Sequence, residues 1–100
     1  MIADIASRRE ELRELCRRFH VRRLDLFGSA AREDFDPERS DLDFLVEFQP
    51  EALSFDIYFG LKESLEALFG RSVDLVEPGA IRNPYLKTSI ESSREPVFEA

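Results

Sequence analysis

The chain has 100 residues, 43% of them hydrophobic, which is enough for one modest core and unlike the composition of a disordered segment. Its net charge of −7 argues against a nucleic-acid binder, since such proteins grip phosphate with a basic face, and Cys16, the only cysteine, leaves neither a disulfide framework nor a zinc cluster. No apolar run approaches the roughly 18 residues of a membrane span, and the charged N-terminus is unlike a signal peptide, so the expected compartment is the cytoplasm and no membrane partner is expected.

Residues 2 to 19 place Ile5, Leu12, Leu15, Cys16 and Phe19 at helical spacing and predict an amphipathic helix, with Asp4 or Ser7 available to cap its start. Arg8, Arg9, Glu10, Glu11, Arg13, Glu14 and Arg17 fill the opposite face, which reads as solvated. Cys16 falls on the apolar side and reads as core. His20, at the helix end, reads as a partner of the helix dipole rather than a catalytic base.

A strand is predicted over Val21–Phe27, closing in the Gly28-Ser29 turn, after which Ala30, Ala31 and Arg32 begin a short helix ended near Pro37. A glycine at a strand-to-helix turn allows close backbone approach to a ligand, and the N–H groups that open the helix suit an anion. Glu33, Asp34, Asp36 and Glu38 read as a solvated acidic loop. The second strand is predicted over Asp41–Phe48. Aspartate is depleted in strands, and alternation puts Asp41 and Asp43 on one face with Leu42, Phe44, Val46 and Phe48 on the other. Two carboxylates so close call for a cation between them, and magnesium suits one or two carboxylates completed by water and substrate phosphate.

Residues 54 to 69 predict a second helix, with Ser54 as N-cap, Gly70 just past its end and Ile57, Leu61, Leu65 and Leu68 as its core stripe. Phe55, Tyr58, Phe59 and Phe69 carry apolar surface beyond that stripe, which favours contact with a partner. A third strand ends at Pro78-Gly79, and Asp74 interrupts it as the other aspartates interrupt theirs. A last helix is predicted over residues 80 to 93, starting near Asn83-Pro84, and Arg94–Phe98 closes the chain as a short edge strand that tolerates Pro96. The alternation of helices and strands gives an α/β class, in a single domain spanning 1–100; from pattern alone the first two strands can pair either way.

Gly28-Ser29-Ala30-Ala31-Arg32, eleven intervening residues between Ser29 and Asp41, and then Asp41-Leu42-Asp43 resemble the G-S-x-A-R and D-x-D signature of the DNA polymerase beta nucleotidyltransferase superfamily, and the wording around Ser40–Phe48 is most similar to the minimal nucleotidyltransferases (MNT proteins). The sequence departs from that pattern at Glu33, where glycine is typical, and in a slightly longer loop. The resemblance implies the polymerase beta-like nucleotidyltransferase fold, a small mixed sheet packed with helices, with Asp41, Asp43 and Asp74 as catalytic residues holding two Mg2+ ions, and Gly28, Ser29 and Arg32 binding the nucleotide. It further implies transfer of AMP from ATP to a tyrosine of a HEPN-type ribonuclease toxin, the chain serving as antitoxin in a homo- or hetero-oligomer. Two other readings stay open: a binding-only antitoxin that neutralises its partner by occlusion, and a transferase acting on a small molecule.

Overall fold

The computed structural model describes residues 3–28, 31, 41–52 and 54–100. Strands β1 (Val21–Phe27) and β2 (Leu42–Phe48) run antiparallel; β3 (Val73–Val76) lies parallel to β2, and β4 (Glu95–Glu99) antiparallel to β1. The sheet is therefore mixed, in the order β3-β2-β1-β4, with β3 and β4 at its edges. Pro96 sits in the edge strand β4, where its missing N–H costs least. Strand β2 begins at Leu42, so Asp41 stands just ahead of it and not inside it.

The helix expected over 2 to 19 is divided into α1 (Ala3–Ala6) and α2 (Arg9–Arg18). Arg8, at φ −116° and ψ 25°, leaves the helical region, and it takes the N-cap position of α2 with no side-chain cap, a place expected for Asp4 or Ser7. The break lets Ile5 and Leu12 both reach the core, at 0% and 1% exposure. Past the end of α2, His20 adopts φ 57°, in the left-handed region that ends helices, and its carbonyl accepts from the Gln49 N–H at 2.8 Å.

Helix α3 (Phe55–Phe69) is capped as the sequence predicts: the Ser54 side chain accepts from the Ile57 N–H at 3.2 Å, and Gly70 closes it at φ 65°. Leu61 and Leu65 are fully buried, whereas Ile57 is half-buried and stands outside the packed stripe. A 3-10 turn over Pro78–Ala80 precedes α4 (Pro84–Ser93), which thus starts later than residue 80; the Asn83 side chain accepts from the N–H groups of Tyr85 and Leu86 at 2.9 and 3.4 Å.

Strand alternation divides the core between two faces. Leu24, Leu26, Leu42, Phe44, Val46, Val73, Leu75 and Val97 pack with Ile5, Leu12, Cys16, Leu61 and Leu65 from the helices of one layer. On the other face Phe27 and Leu45 pack with Ile90 of α4, flanked by Val76 and Ile81. The second cluster is small, and it leaves part of that face open at the end of the sheet where the aspartates lie.

Candidate active site

Two ladders meet at one end of the sheet. Phe27 is the partner of Asp43 across β1 and β2, and Asp43 is the partner of Asp74 across β2 and β3. Register partners project to the same side, with their backbones one strand spacing apart, roughly 4.8 Å. Asp43 and Asp74 are therefore side by side on the face that carries Phe27 and Leu45, and Asp41 precedes Asp43 by one alternation. Like charges placed directly opposite destabilise a sheet unless something offsets them.

The glycine turn lies against this pair. Gly28 has φ 74°, and a Cβ built on it would run into the Asp43 carboxylate and force it to move, so glycine lets the backbone and that carboxylate approach this closely. The turn closes with the Ala31 N–H donating to the Gly28 carbonyl at 3.1 Å. The Gly28 N–H itself donates to Ser93 Oγ at 3.4 Å, which ties the end of α4 to the turn. Ser29 and Arg32, the other expected nucleotide contacts, lie outside the described residues, as do the short helix ending near Pro37 and the acidic loop.

A cleft of about 400 Å³ opens above the pair. Phe27, Asp43, Asp74, Leu75 and Val76 form its floor, Tyr58 and Lys62 of α3 one wall, and Leu86 and Ile90 of α4 the other. The volume suits a small-molecule substrate. The Tyr58 hydroxyl donates to the Leu75 carbonyl, covering a polar group of the edge strand. Burial first, and then the charges of Glu77 and Asp74, push the Tyr58 phenol above its ordinary value, so it stays protonated and remains a donor.

The donor set fits magnesium. Among the described residues no group of three or more histidine, cysteine, aspartate or glutamate side chains could hold a metal ion by itself. Carboxylates from two adjacent strands, with open cleft beside them, match an ion that completes its shell with water and phosphate oxygens.

A family model described as a nucleotidyltransferase domain matches residues 8–97. The chain belongs to the nucleotidyltransferase domain family. A Methanocaldococcus jannaschii protein described provisionally as a protein adenylyltransferase is 44% identical over 92 residues, spanning 90% of this chain and 88% of that protein. Protein adenylyltransferase MntA of Thermococcus cleftensis is 40% identical over 96 residues, spanning 94% and 87%. Among solved structures, one described provisionally as a minimal nucleotidyltransferase matches with a TM-score of 0.75 at 36% identity, covering 91% and 90% of the two chains. The complex of a tri-AMPylated Shewanella oneidensis HEPN toxin with its MNT antitoxin shares the fold, with a TM-score of 0.66 at 17% identity over 96% and 73% of the two chains.

This nucleotidyltransferase contains site residues that sequence reasoning did not single out. Asp25 is 0% exposed in β1, where its carboxylate accepts from Arg94 at 2.7 and 2.5 Å and from Arg23 at 3.1 Å. The signal was available, because Asp25 interrupts an apolar strand as the other strand aspartates do. Asp25 anchors Arg94, the residue after Ser93, and so holds the end of α4 against the turn. Lys62 was legible only as part of a helix; its place in the cleft depends on α3 packing beside β3. His20 lies at the opposite end of β1 from Gly28, about 26 Å away at roughly 3.3 Å per strand residue, which leaves it with the helix end and not the site.

Proposed function

We propose that this nucleotidyltransferase moves AMP from ATP onto a tyrosine hydroxyl of a HEPN-type toxin and acts as its antitoxin. The observation that carries the reading is the row Phe27, Asp43, Asp74 on the floor of the cleft, with the Gly28 turn packed directly against the Asp43 carboxylate. The names of the adenylyltransferase relatives support a protein acceptor, and the net charge of −7 disfavours a nucleic acid.

Asp43 and Asp74, with Asp41 just ahead of β2, would hold two magnesium ions once triphosphate oxygens and water complete the shells, and Gly28, Ser29 and Arg32 would meet the terminal phosphates. Magnesium, when bound, neutralises the triphosphate and eases ionisation of the attacking hydroxyl. The tyrosine oxygen forms a bond to the α-phosphorus of ATP as the bond from that phosphorus to the bridging oxygen breaks. Pyrophosphate leaves on the Gly28 side, and the hydroxyl proton passes to the Asp74 carboxylate and then to water. Lys62 adds a positive charge to a cleft otherwise lined by carboxylates and apolar groups. Chemistry of this kind depends on positioning, which the register of three strands supplies, and on charge neutralisation, which bound magnesium would supply.

The test is magnesium-dependent transfer of label from α-labelled ATP to the protein encoded beside this chain, compared with the Asp41→Asn/Asp43→Asn variant. Label on the partner that the variant abolishes is the expected result, and unchanged transfer by the variant would sink the assignment.

A further inference from the structure

We propose that the groove formed by Ser54, Phe55, Tyr58, Phe59 and Glu77 is the docking surface for the acceptor polypeptide, and that it takes an apolar segment carrying arginine or lysine beside the acceptor tyrosine. The inference rests on the protein-acceptor reading above and names the feature of the acceptor that this chain selects.

Direction comes first. In-line displacement puts the attacking oxygen and the leaving pyrophosphate on opposite sides of the phosphorus. With pyrophosphate toward Gly28, the acceptor enters from the Asp74 side, and β3 is there an edge strand. At that edge lies a groove of about 540 Å³. Tyr58 lines both this groove and the cleft, so the two adjoin across its side chain. Its hydroxyl donates to the Leu75 carbonyl, which holds the side chain between the two spaces.

The groove is apolar and uncovered. Phe55 is 82% exposed and Phe59 50%, the two rings stacking at 6.3 Å, while Tyr58 meets Phe59 edge-on at 5.1 Å. Aromatic side chains preset in this way offer contact area at little entropic cost.

The surrounding charge selects the occupant. Glu77 lines the groove, Asp74 stands on its cleft side, and Asp56 neighbours Phe55 in a chain of net charge −7. RNA or an acidic peptide would be repelled, whereas an arginine or lysine can pair with Glu77 and lie over an aromatic ring.

The test uses two fluorescent peptides, each with a single tyrosine next to leucine, one flanked by arginines and one by glutamates. Binding to the full chain is followed by anisotropy. The arginine peptide is expected to bind, at least tenfold more weakly to the Phe55→Ser/Phe59→Ser variant, and with a shallower salt dependence for Glu77→Gln; the glutamate peptide is expected not to bind. AMP-PNP binding should be unchanged in these variants, which shows that they remain folded. Equal binding of both peptides, binding of neither, binding indifferent to the variants, or displacement of the arginine peptide by single-stranded RNA would overturn the proposal. A bound arginine peptide that wild-type protein and ATP never label would defeat the transfer reading and leave the docking surface standing. Undiminished labelling of the partner by the phenylalanine variant would do the reverse.

Discussion

Gly28 and Gly70 share nearly the same backbone conformation, with φ of 74° and 65°, but a Cβ at Gly28 meets the Asp43 carboxylate while one at Gly70 meets nothing within 4 Å. Replacing either by alanine should therefore cost the same strain, about 1–2 kcal/mol for a non-glycine residue in the left-handed region. For a domain of this size that lowers the Tm by roughly 4–16 °C. Only Gly28→Ala must also push the Asp43 carboxylate aside, and in a catalytic site a displacement of about 1 Å can cost on the order of 100-fold in rate. Thermal melts and label transfer on the two variants separate the effects: similar Tm losses, with transfer falling about 100-fold for Gly28→Ala and by less than threefold for Gly70→Ala, by the same positioning argument. Transfer equally spared or equally lost in both would refute the assignment of Gly28 to the site.

Arg94→Met leaves the buried Asp25 with Arg23 alone, and should destabilise by about 3 kcal/mol, at the low end for breaking a buried pair; Asp25→Leu/Arg94→Met, which removes both charges, should recover much of that in urea denaturation. Tyr58→Phe should cost about 1 kcal/mol by leaving the Leu75 carbonyl without its donor, readable in the same assay. Burial pushes the Cys16 thiol from 9.0 up to about 12. A raised value means that the folded state binds the proton more tightly, so this contribution is complete below pH 9 and is lost as pH rises toward 12. Native protein should resist alkylation at pH 8, and Cys16→Ala should flatten the alkaline fall in stability; ready alkylation of folded protein would contradict the burial.

Much of the fold was legible because it is written in local chemistry. Ser54, Gly70 and Asn83-Pro84 mark helix ends through caps that the structure shows bonding as expected, and β1 matches its predicted bounds because an apolar run meets a turn glycine. The split at Arg8 was not legible, because it serves the burial of Ile5 beneath a sheet that assembles from distant segments. For the site, the sequence supplies the identity of the aspartates, while the pairing of Asp43 with Asp74 is a tertiary fact set by β2 and β3. Ser93, Arg94 and Lys62 join the site only through helix packing, so no spacing rule reveals them.

The antiparallel pairing of Phe27 with Asp43 has a consequence for how such a chain can change over time. The ladder between β1 and β2 sets Gly28, the residue after Phe27, beside Asp43 whatever the number of residues between the two strands. Closure entropy grows with the logarithm of length, so one added residue in a linker of a dozen costs well under about 0.1 kcal/mol. Drift in the length of that linker is then nearly neutral for stability, whereas a one-residue slip in the ladder would turn the carboxylates to the wrong face.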